Sequence, residues 1–140
     1  MIVIDTDVLS AMLSASPDEK IVSWLDAQRF EETYITSVTL MEVVMGIEMM
    51  GAGKKRDALD IAFAGALRTF LRGRVLPFDE HAALIAGRLY DARRKRGVTV
   101  GLADTQIAAI TIARGATLAT GNVRHFSDLP IPVVNPWNAA

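Results

Sequence analysis

The chain has 140 residues, of which 51% are hydrophobic and 22% charged, and its formal net charge is −1. This length and composition indicate one globular domain with a single core and exclude a disordered chain. Cysteine is absent and only two histidines are present, which excludes disulfides, thiolate zinc sites and cysteine nucleophiles. Any bound metal would therefore be held mainly by oxygen, as Mg²⁺ and Mn²⁺ are.

Apolar stretches along the chain are short. The first run covers residues 1–4, which is too short for the core of a signal peptide. No stretch approaches the roughly 20 apolar residues of a membrane span. We therefore expect a cytoplasmic protein without a membrane partner.

Apolar β-favouring runs alternate with helical patterns along residues 1–140, which we interpret as one domain. This alternation predicts an α/β fold with a mostly parallel sheet of four to five strands, flanked by helices. The last strand contains a proline and is expected at an edge. Strands are predicted at residues 1–4, 33–36, 74–77, 117–120 and 131–134, and helices at 6–14, 16–28, 37–50, 54–72, 80–96 and 102–114.

Polar residues and glycines mark the ends of these helices. Thr6 or Asp7 is expected to cap the first helix, Ser37 or Thr39 the third, and Asp79 the fifth. Glycines at positions 97 and 115 are expected to end the fifth and sixth helices, and residues 99–101 lead into the sixth.

Three acidic residues occupy unusual positions. Asp5 directly follows the first strand, at the end where open α/β sheets bind their ligands. Glu42 and Asp104 interrupt otherwise apolar helical stretches. Buried carboxylates are costly unless a cation compensates them, and no basic residue is close in sequence. A divalent metal is the simplest compensation, so the pattern indicates a metal-dependent enzyme.

Each of these acids also has a purely structural explanation. Asp5 could cap the following helix, Glu42 could be a partly exposed helix residue, and Asp104 is favourable at a helix N-terminus. Only their combination, with Asn122 after the fourth strand, favours a common site. The ends of strands 1, 2 and 4 can share one edge of a parallel sheet.

Several segments together resemble the PIN-domain family, and most closely its VapC/FitB-type toxins of toxin–antitoxin pairs. The resemblance runs in order along nearly the whole chain. It rests on DTDVLS at 5–10, SVTLMEVVMG at 37–46, LPFD at 76–79, GLADTQIAA at 101–109, LATGN at 118–122 and VNPW at 134–137.

This resemblance implies a metal-dependent endoribonuclease. Such a protein would form a homodimer, be silenced by a cognate antitoxin and enter a larger toxin–antitoxin complex. Its acidic tetrad would map onto Asp5, Glu42, Asp104 and position 122, where Asn122 stands in place of the usual acid. Asp5, Asp104 and Glu42 would hold Mg²⁺ or Mn²⁺, and a metal-bound water would attack the RNA phosphate. The family likeness further implies 5′-phosphate and 3′-hydroxyl ends.

Polar neighbours of these acids are candidates for orienting them. Thr6 and Thr120 could orient carboxylates or water through their hydroxyls. Asp7, where the family more often has asparagine, could bond backbone or water and add charge. The family often has an acid near the place of His125, whereas this histidine is expected to be structural or solvent-facing. Asp128 is too distant to be a convincing substitute for the missing acid.

Charge is distributed unevenly along the chain. Residues 1–53 carry nine acidic and two basic side chains, whereas residues 54–124 carry thirteen basic and six acidic ones. Such a chain can attract phosphates, although surface scatter explains the imbalance equally well. The candidate RNA contacts are Arg124 and the cluster Arg93, Arg94 and Arg96. The cluster could instead be solvated cations at a helix C-terminus, and Arg124 could simply lie at the surface.

Met41, Met45 and Met49 recur every fourth residue on one helix. Core packing is the usual explanation of such a stripe. An adaptable surface that binds an antitoxin segment is the alternative.

Two other functions remain open from sequence. The strand-Asp-x-Asp motif also resembles haloacid-dehalogenase phosphatases, but their later lysine and acidic pair are missing. A non-catalytic PIN-like protein-binding module is the other alternative, since Asn122 removes one acid from the tetrad.

Overall fold

Five short parallel strands form the centre of the fold. The computed structural model describes residues 1–99 and 101–139. The sheet order is β3-β2-β1-β4-β5, and every pair is parallel. The strands are β1 (Ile2–Ile4), β2 (Thr33–Thr36), β3 (Val75–Leu76), β4 (Thr117–Ala119) and β5 (Val133–Val134).

Helices connect β1 to β2, β2 to β3 and β3 to β4, as crossovers between parallel strands usually do, whereas β4 leads to β5 through a short 3-10 turn at Val123–His125. α5 and α6 are consecutive, and the position of Val100 between them lies outside the described residues, as does Ala140. The helices are α1 (Thr6–Leu13), α2 (Glu19–Asp26), α3 (Ser37–Met49), α4 (Lys54–Ala66), α5 (Glu80–Lys95) and α6 (Leu102–Ala113).

The sheet separates two apolar clusters. Successive residues of a strand point to opposite faces, so Val3 joins one cluster and Ile4 the other, and both are fully buried. The Val3 cluster includes Ile107 of α6, whereas the Ile4 cluster includes Val8 of α1 and Phe63 of α4. Burial on both faces explains why β1 is apolar throughout.

The carboxyl ends of the central strands carry polar residues. Asp5 follows β1 and donates its backbone N–H to the carbonyl of Ala119 at 2.9 Å. Thr120 follows β4 and donates its backbone N–H to the carbonyl of Val134 at 3.0 Å. Asp5 and Thr120 therefore emerge side by side at one edge of the sheet.

The predicted α/β fold is confirmed, but two helix caps and one helix start differ from the sequence predictions. Asp5 caps α1, in place of Thr6 or Asp7. Thr36 caps α3 by accepting the N–H of Thr39 at 3.0 Å, because the Ser37 hydroxyl accepts a hydrogen bond from Phe78 instead. α2 begins at Glu19 rather than residue 16, since Asp18 is its cap and accepts the N–H of Lys20.

The helix predicted over 54–72 also changes character before its end. Regular α-helix stops at Ala66, and Leu67–Leu71 form a π-helical turn. Arg72 and Gly73 both have positive φ, at 45° and 78°, which turns the chain into β3. By contrast, the predicted cap of α5 is confirmed, since Asp79 accepts the N–H of Ala82 at 2.9 Å.

A helix crosses a membrane only if it is both long enough and apolar along its length. Within the part of the chain that the structure describes, none of the helices combines the length and apolar character needed to cross a bilayer.

Candidate active site

Asp5 is the most buried acidic side chain of the site, with 3% of its surface exposed. Its Oδ1 accepts the backbone N–H of Thr6 at 2.8 Å, and its Oδ2 accepts the Thr120 hydroxyl at 2.8 Å. Burial raises the pKa of Asp5 to about 6. Those two hydrogen bonds lower this pKa, whereas the charges of Asp7 and Asp104 raise it further.

Glu42 lies on α3 and contacts Asp5's neighbour rather than Asp5 itself. The Thr6 hydroxyl donates to Oε1 of Glu42 at 2.6 Å. Thr6 Oγ1 also lies 3.5 Å from Thr39 Oγ1, which is itself buried against the Thr36 cap. Thr6 thus joins the start of α1 to α3, and its backbone and hydroxyl contact two different carboxylates.

Asp7 connects the start of α1 with the segment after β4. Its Oδ1 accepts the N–H of Val8 at 2.8 Å, and its Oδ2 accepts the N–H of Gly121 at 2.8 Å. Asn122 approaches the same oxygen through Nδ2 at 3.5 Å and donates its backbone N–H to Thr120 Oγ1 at 3.0 Å. Burial raises the pKa of Asp7 above its usual value, and the hydrogen bonds from the Gly121 and Val8 N–H groups oppose that rise.

Asp104 lies in the first turn of α6 and is paired with a histidine. Nδ1 of His125 lies 2.8 Å from Oδ2 of Asp104, and its ring is about half exposed. The sequence prediction did not include His125 in the site. The sequence feature that could have placed His125 in the site is its position three residues after Asn122, in the segment that follows β4.

The predicted acids therefore lie at the same edge of the sheet. Glu42 connects to Asp5 through Thr6, and the charge of Asp104 acts on Asp5. In the described ranges 1–99 and 101–139, however, no three Asp, Glu or His side chains are gathered around one point where they could hold a metal ion. Glu42 and Asp104 each direct one carboxylate oxygen to a hydrogen-bond partner, Thr6 and His125 respectively. Metal ligation by this set stays a prediction.

Arg93 is not available for RNA, so its predicted role as a phosphate contact is wrong. Its side chain is 1% exposed and pairs with Asp128 through Nε and Nη2, each at 3.0 Å. Nη1 donates to Thr105 Oγ1 at 3.2 Å, and Nη2 also donates to the carbonyl of His125. A buried guanidinium needs such a complete set of acceptors.

The other predicted cations lie at the surface. Arg94 pairs with Asp91, and Arg96 pairs with Asp128 at 3.1 Å. Arg124 is exposed in the segment after Asn122. Asp128 is engaged by two arginines, which explains why it does not replace the missing acid of the tetrad.

A groove of about 720 Å³ begins beside Thr6 and Glu42. α1, α3 and α4 form its walls. Leu13, Ile47 and Leu59 contribute apolar surface. Its remaining lining residues include small and polar side chains and two lysines: Ser10, Ser14, Ala15, Val43, Gly46, Lys54, Lys55, Ala58 and Ala62.

The methionine stripe on α3 does not pack in the core. Met41, Met45 and Met49 are 53%, 51% and 79% exposed, which contradicts the core-packing interpretation. They do not line the groove either, because that side of α3 is formed by Val43, Gly46 and Ile47.

The parallel sheet and the polar edge that carries Asp5, Glu42 and Asp104 define an α/β domain with an acidic site at the carboxyl ends of its strands. A family model described as "PIN domain" matches residues 2–131. The chain belongs to the PIN-domain family. This assignment bears out the resemblance seen in the sequence and leaves no support for the haloacid-dehalogenase alternative.

Individual relatives match over the full length. The chain is 36% identical to "VapC ribonuclease Y4jK" of Sinorhizobium fredii over 140 residues, which covers all of both chains. It is 33% identical to "Toxin FitB" of Neisseria gonorrhoeae, with 99% of each chain covered. The solved structure of FitAcB from Neisseria gonorrhoeae matches with a TM-score of 0.89 and 32% identity, covering 99% of this chain and 100% of that one.

Proposed function

We propose that this protein is a metal-dependent endoribonuclease that acts as the toxin of a toxin–antitoxin pair. The buried carboxylate of Asp5, on which the charges of Asp7 and Asp104 act at the edge of the sheet, is the observation that carries this proposal. Full-length similarity to a ribonuclease and to a toxin supports it.

The residues at this edge fit a hard divalent cation. Burial disfavours the charged form of Asp5, and Asp7 and Asp104 add negative charge around it. A cation relieves this repulsion, and the available donors are oxygens, which suit Mg²⁺ or Mn²⁺. Asp5, Asp104 and Glu42 would hold the ion, and Asn122 would offer a neutral oxygen.

The chain's own residues prepare the site for hydrolysis. Thr120 and the backbone of Thr6 fix the carboxylate of Asp5, and the Thr6 hydroxyl fixes Glu42. A divalent ion held by these residues would supply a water of lowered pKa and would neutralise charge on the scissile phosphate. Arg124 lies exposed beyond Asn122. From there it would contact a neighbouring RNA phosphate, so that binding would weaken as salt rises.

Cleavage of RNA by the purified protein tests this function. Wild type should cleave in the presence of Mg²⁺ or Mn²⁺ and stop in EDTA. Asp5→Ala, Glu42→Ala and Asp104→Ala should each abolish cleavage, whereas Asp26→Ala, which changes an exposed acid on α2, should not. Sequencing of RNA ends after brief induction, beside the Asp104→Ala variant, identifies the target. Unchanged cleavage by a folded Asp104→Ala protein would remove this residue from the site.

Asn122 favours one second candidate, a PIN-like module that binds a protein without cleaving RNA. Metal binding separates the two functions. Mg²⁺ or Mn²⁺ should raise the melting temperature of wild type, and Asp5→Asn should remove the shift. Absence of any shift in wild type favours the binding module.

The groove beside Glu42 is the proposed site for the antitoxin. Its apolar walls suit an apolar side chain of a bound segment, its Glu42 end suits a cation, and Lys54 and Lys55 suit acids. Ala58→Glu changes an exposed residue of the groove wall and should weaken antitoxin binding without loss of RNA cleavage. Equal affinity of wild type and this variant would place the antitoxin elsewhere.

The exposed apolar surface of α3 is the proposed homodimer contact. Met41, Val44, Met45 and Met49 are all more than 40% exposed on this helix. Such a surface can pair with its own copy in a two-fold dimer. Met45→Glu should shift the mass measured by light scattering from dimer to monomer.

A further inference from the structure

We infer that His125 is a positioning residue that fixes the carboxylate of Asp104 for metal binding. The inference rests on the proposed function, because it concerns how one of the proposed ligands is held. It starts from two facts that the sequence patterns did not reveal: the 2.8 Å contact between Nδ1 of His125 and Oδ2 of Asp104, and the burial of Arg93.

The direction of the His125 hydrogen bond follows from the chemistry of its partner. A carboxylate only accepts hydrogen bonds, so Nδ1 of His125 is the donor. The bond engages Oδ2 of Asp104 and orients the carboxylate group as a whole. Asp104 lies in the first turn of α6 with 24% of its side chain exposed, where without a partner it could adopt several rotamers.

The backbone that carries the His125 ring is fixed by contacts with the protein interior. Arg93 of α5 donates to the backbone carbonyl of His125, and its bonds to Asp128 secure the following residues of the same segment. Phe126 is fully buried and packs in the apolar cluster that contains Ile107 of α6. The backbone on both sides of the ring is therefore fixed against the protein interior.

The same guanidinium also contacts the helix that carries Asp104. Nη1 of Arg93 donates to Oγ1 of Thr105, the residue after Asp104. Arg93 thus sets the distance between the His125 backbone and the start of α6. The ring of His125 then spans the remaining gap to the Asp104 carboxylate. Hydrogen bonds behind a ligand of this kind typically contribute about 10- to 100-fold to metal affinity or activity.

Mn²⁺ binding to the full chain without RNA tests this inference by electron paramagnetic resonance and calorimetry. His125→Leu removes the donor and should weaken Mn²⁺ binding by about 10- to 100-fold. His125→Asn keeps an N–H donor near the place of Nδ1 and should bind Mn²⁺ close to wild type. His81→Leu is the matched control, since it changes the other, exposed histidine at the start of α5.

A second readout separates positioning from a general structural role. The metal-free unfolding free energy of His125→Leu should stay close to that of wild type, because the ring is half exposed. In RNA cleavage the variant should need more Mn²⁺ for half-maximal rate and recover kcat when the metal is saturating. His125→Asn should reach half-maximal rate at about the same Mn²⁺ concentration as wild type.

The outcomes distinguish this inference from the proposed function. If wild type binds Mn²⁺ and His125→Leu binds it equally well, the inference is overturned while the ribonuclease proposal stands. Equal weakening in His125→Leu and His125→Asn also overturns it, because the hydrogen bond is then not the cause. If wild type binds no Mn²⁺, both proposals are overturned.

Discussion

The hydroxyl of Thr120 donates to Oδ2 of Asp5 at 2.8 Å and joins two buried residues that lie 115 positions apart in the sequence. The bond crosses from the end of β4 to the end of β1, which are neighbours in the sheet. It favours the charged carboxylate, whereas burial disfavours it. The charge of Asp5 thus depends directly on one hydroxyl.

Thr120→Val should destabilise the protein at neutral pH. Valine keeps the shape but removes both the donor to Asp5 and the acceptor of the Asn122 N–H, and a hydrogen bond to a charged group alone contributes about 1.5–3 kcal/mol. Urea unfolding at pH 7.5 measures the loss. Thr117→Val, a partly buried change on the same strand, is the control. The loss should shrink at pH 4.5, where Asp5 is protonated, and an equal loss at both pH values would contradict this explanation.

The raised pKa of Asp5 predicts how stability depends on pH without metal. The folded pKa is about 6 and the ordinary value is 3.8, so the folded state binds more protons between these values. The contribution of Asp5 to stability is therefore fully present below about pH 4 and is lost as the pH rises through about 6, which amounts to up to about 3 kcal/mol. The raised pKa of Asp7 acts in the same direction.

Urea unfolding in EDTA at several pH values from 4 to 7 measures this slope. Asp5→Asn cannot ionise and should flatten it, whereas the exposed Asp26→Asn should not. Mg²⁺ should restore stability at pH 7 in wild type but not in Asp5→Asn. A slope that Asp5→Asn leaves unchanged would assign the effect to other groups.

Local sequence signals predicted much of the architecture. The apolar run before Asp5 and the Asp79 cap act within a few residues, so β1 and the start of α5 could be read directly. The place of Asp5 at the sheet edge follows from strand order in a parallel sheet. These features depend on near neighbours or on general topology, which a single sequence contains.

The errors concern contacts between distant segments. Arg93 stands in a run of basic residues that resembles a solvated helix end, and only its pairing with Asp128, 35 positions away, explains its burial. His125 likewise enters the site through Asp104, 21 positions away. The methionines on α3 match a core stripe in spacing, but the sheet already packs against the opposite side of that helix.

Arg93→Ala and Arg94→Ala should differ sharply although the two residues are adjacent. Removal of the buried Arg93 leaves Asp128 and the His125 carbonyl without their shared donor and should cost about 3–5 kcal/mol. Arg94 is 67% exposed and pairs with Asp91 at the surface, so its removal should cost well under about 1 kcal/mol. Chemical unfolding of both variants checks the contrast, and similar losses would show that Arg93 is not the central contact of this region.

Gly121 permits a close approach that any side chain would obstruct. A Cβ at this position would lie 2.8 Å from Cζ3 of Trp137 and 2.9 Å from Oδ2 of Asp7. Trp137 is held in place by its Nε1 bond to Asp18 at 3.0 Å, so the indole cannot simply move away. Gly121→Ala should therefore cost about 1–3 kcal/mol through overpacking.

Gly87→Ala provides the matched control for this substitution. Gly87 is exposed within α5, and apart from its chain neighbours and the backbone of its own helix no atom lies within 4 Å of a Cβ built there. Alanine should stabilise that helix by roughly 0.5–1 kcal/mol, because glycine is the poorer helix former. Thermal unfolding should therefore show a lower melting temperature for Gly121→Ala and a higher one for Gly87→Ala. Since the Gly121 N–H also binds Asp7, Gly121→Ala should lower RNA cleavage as well, while Gly87→Ala should leave it unchanged.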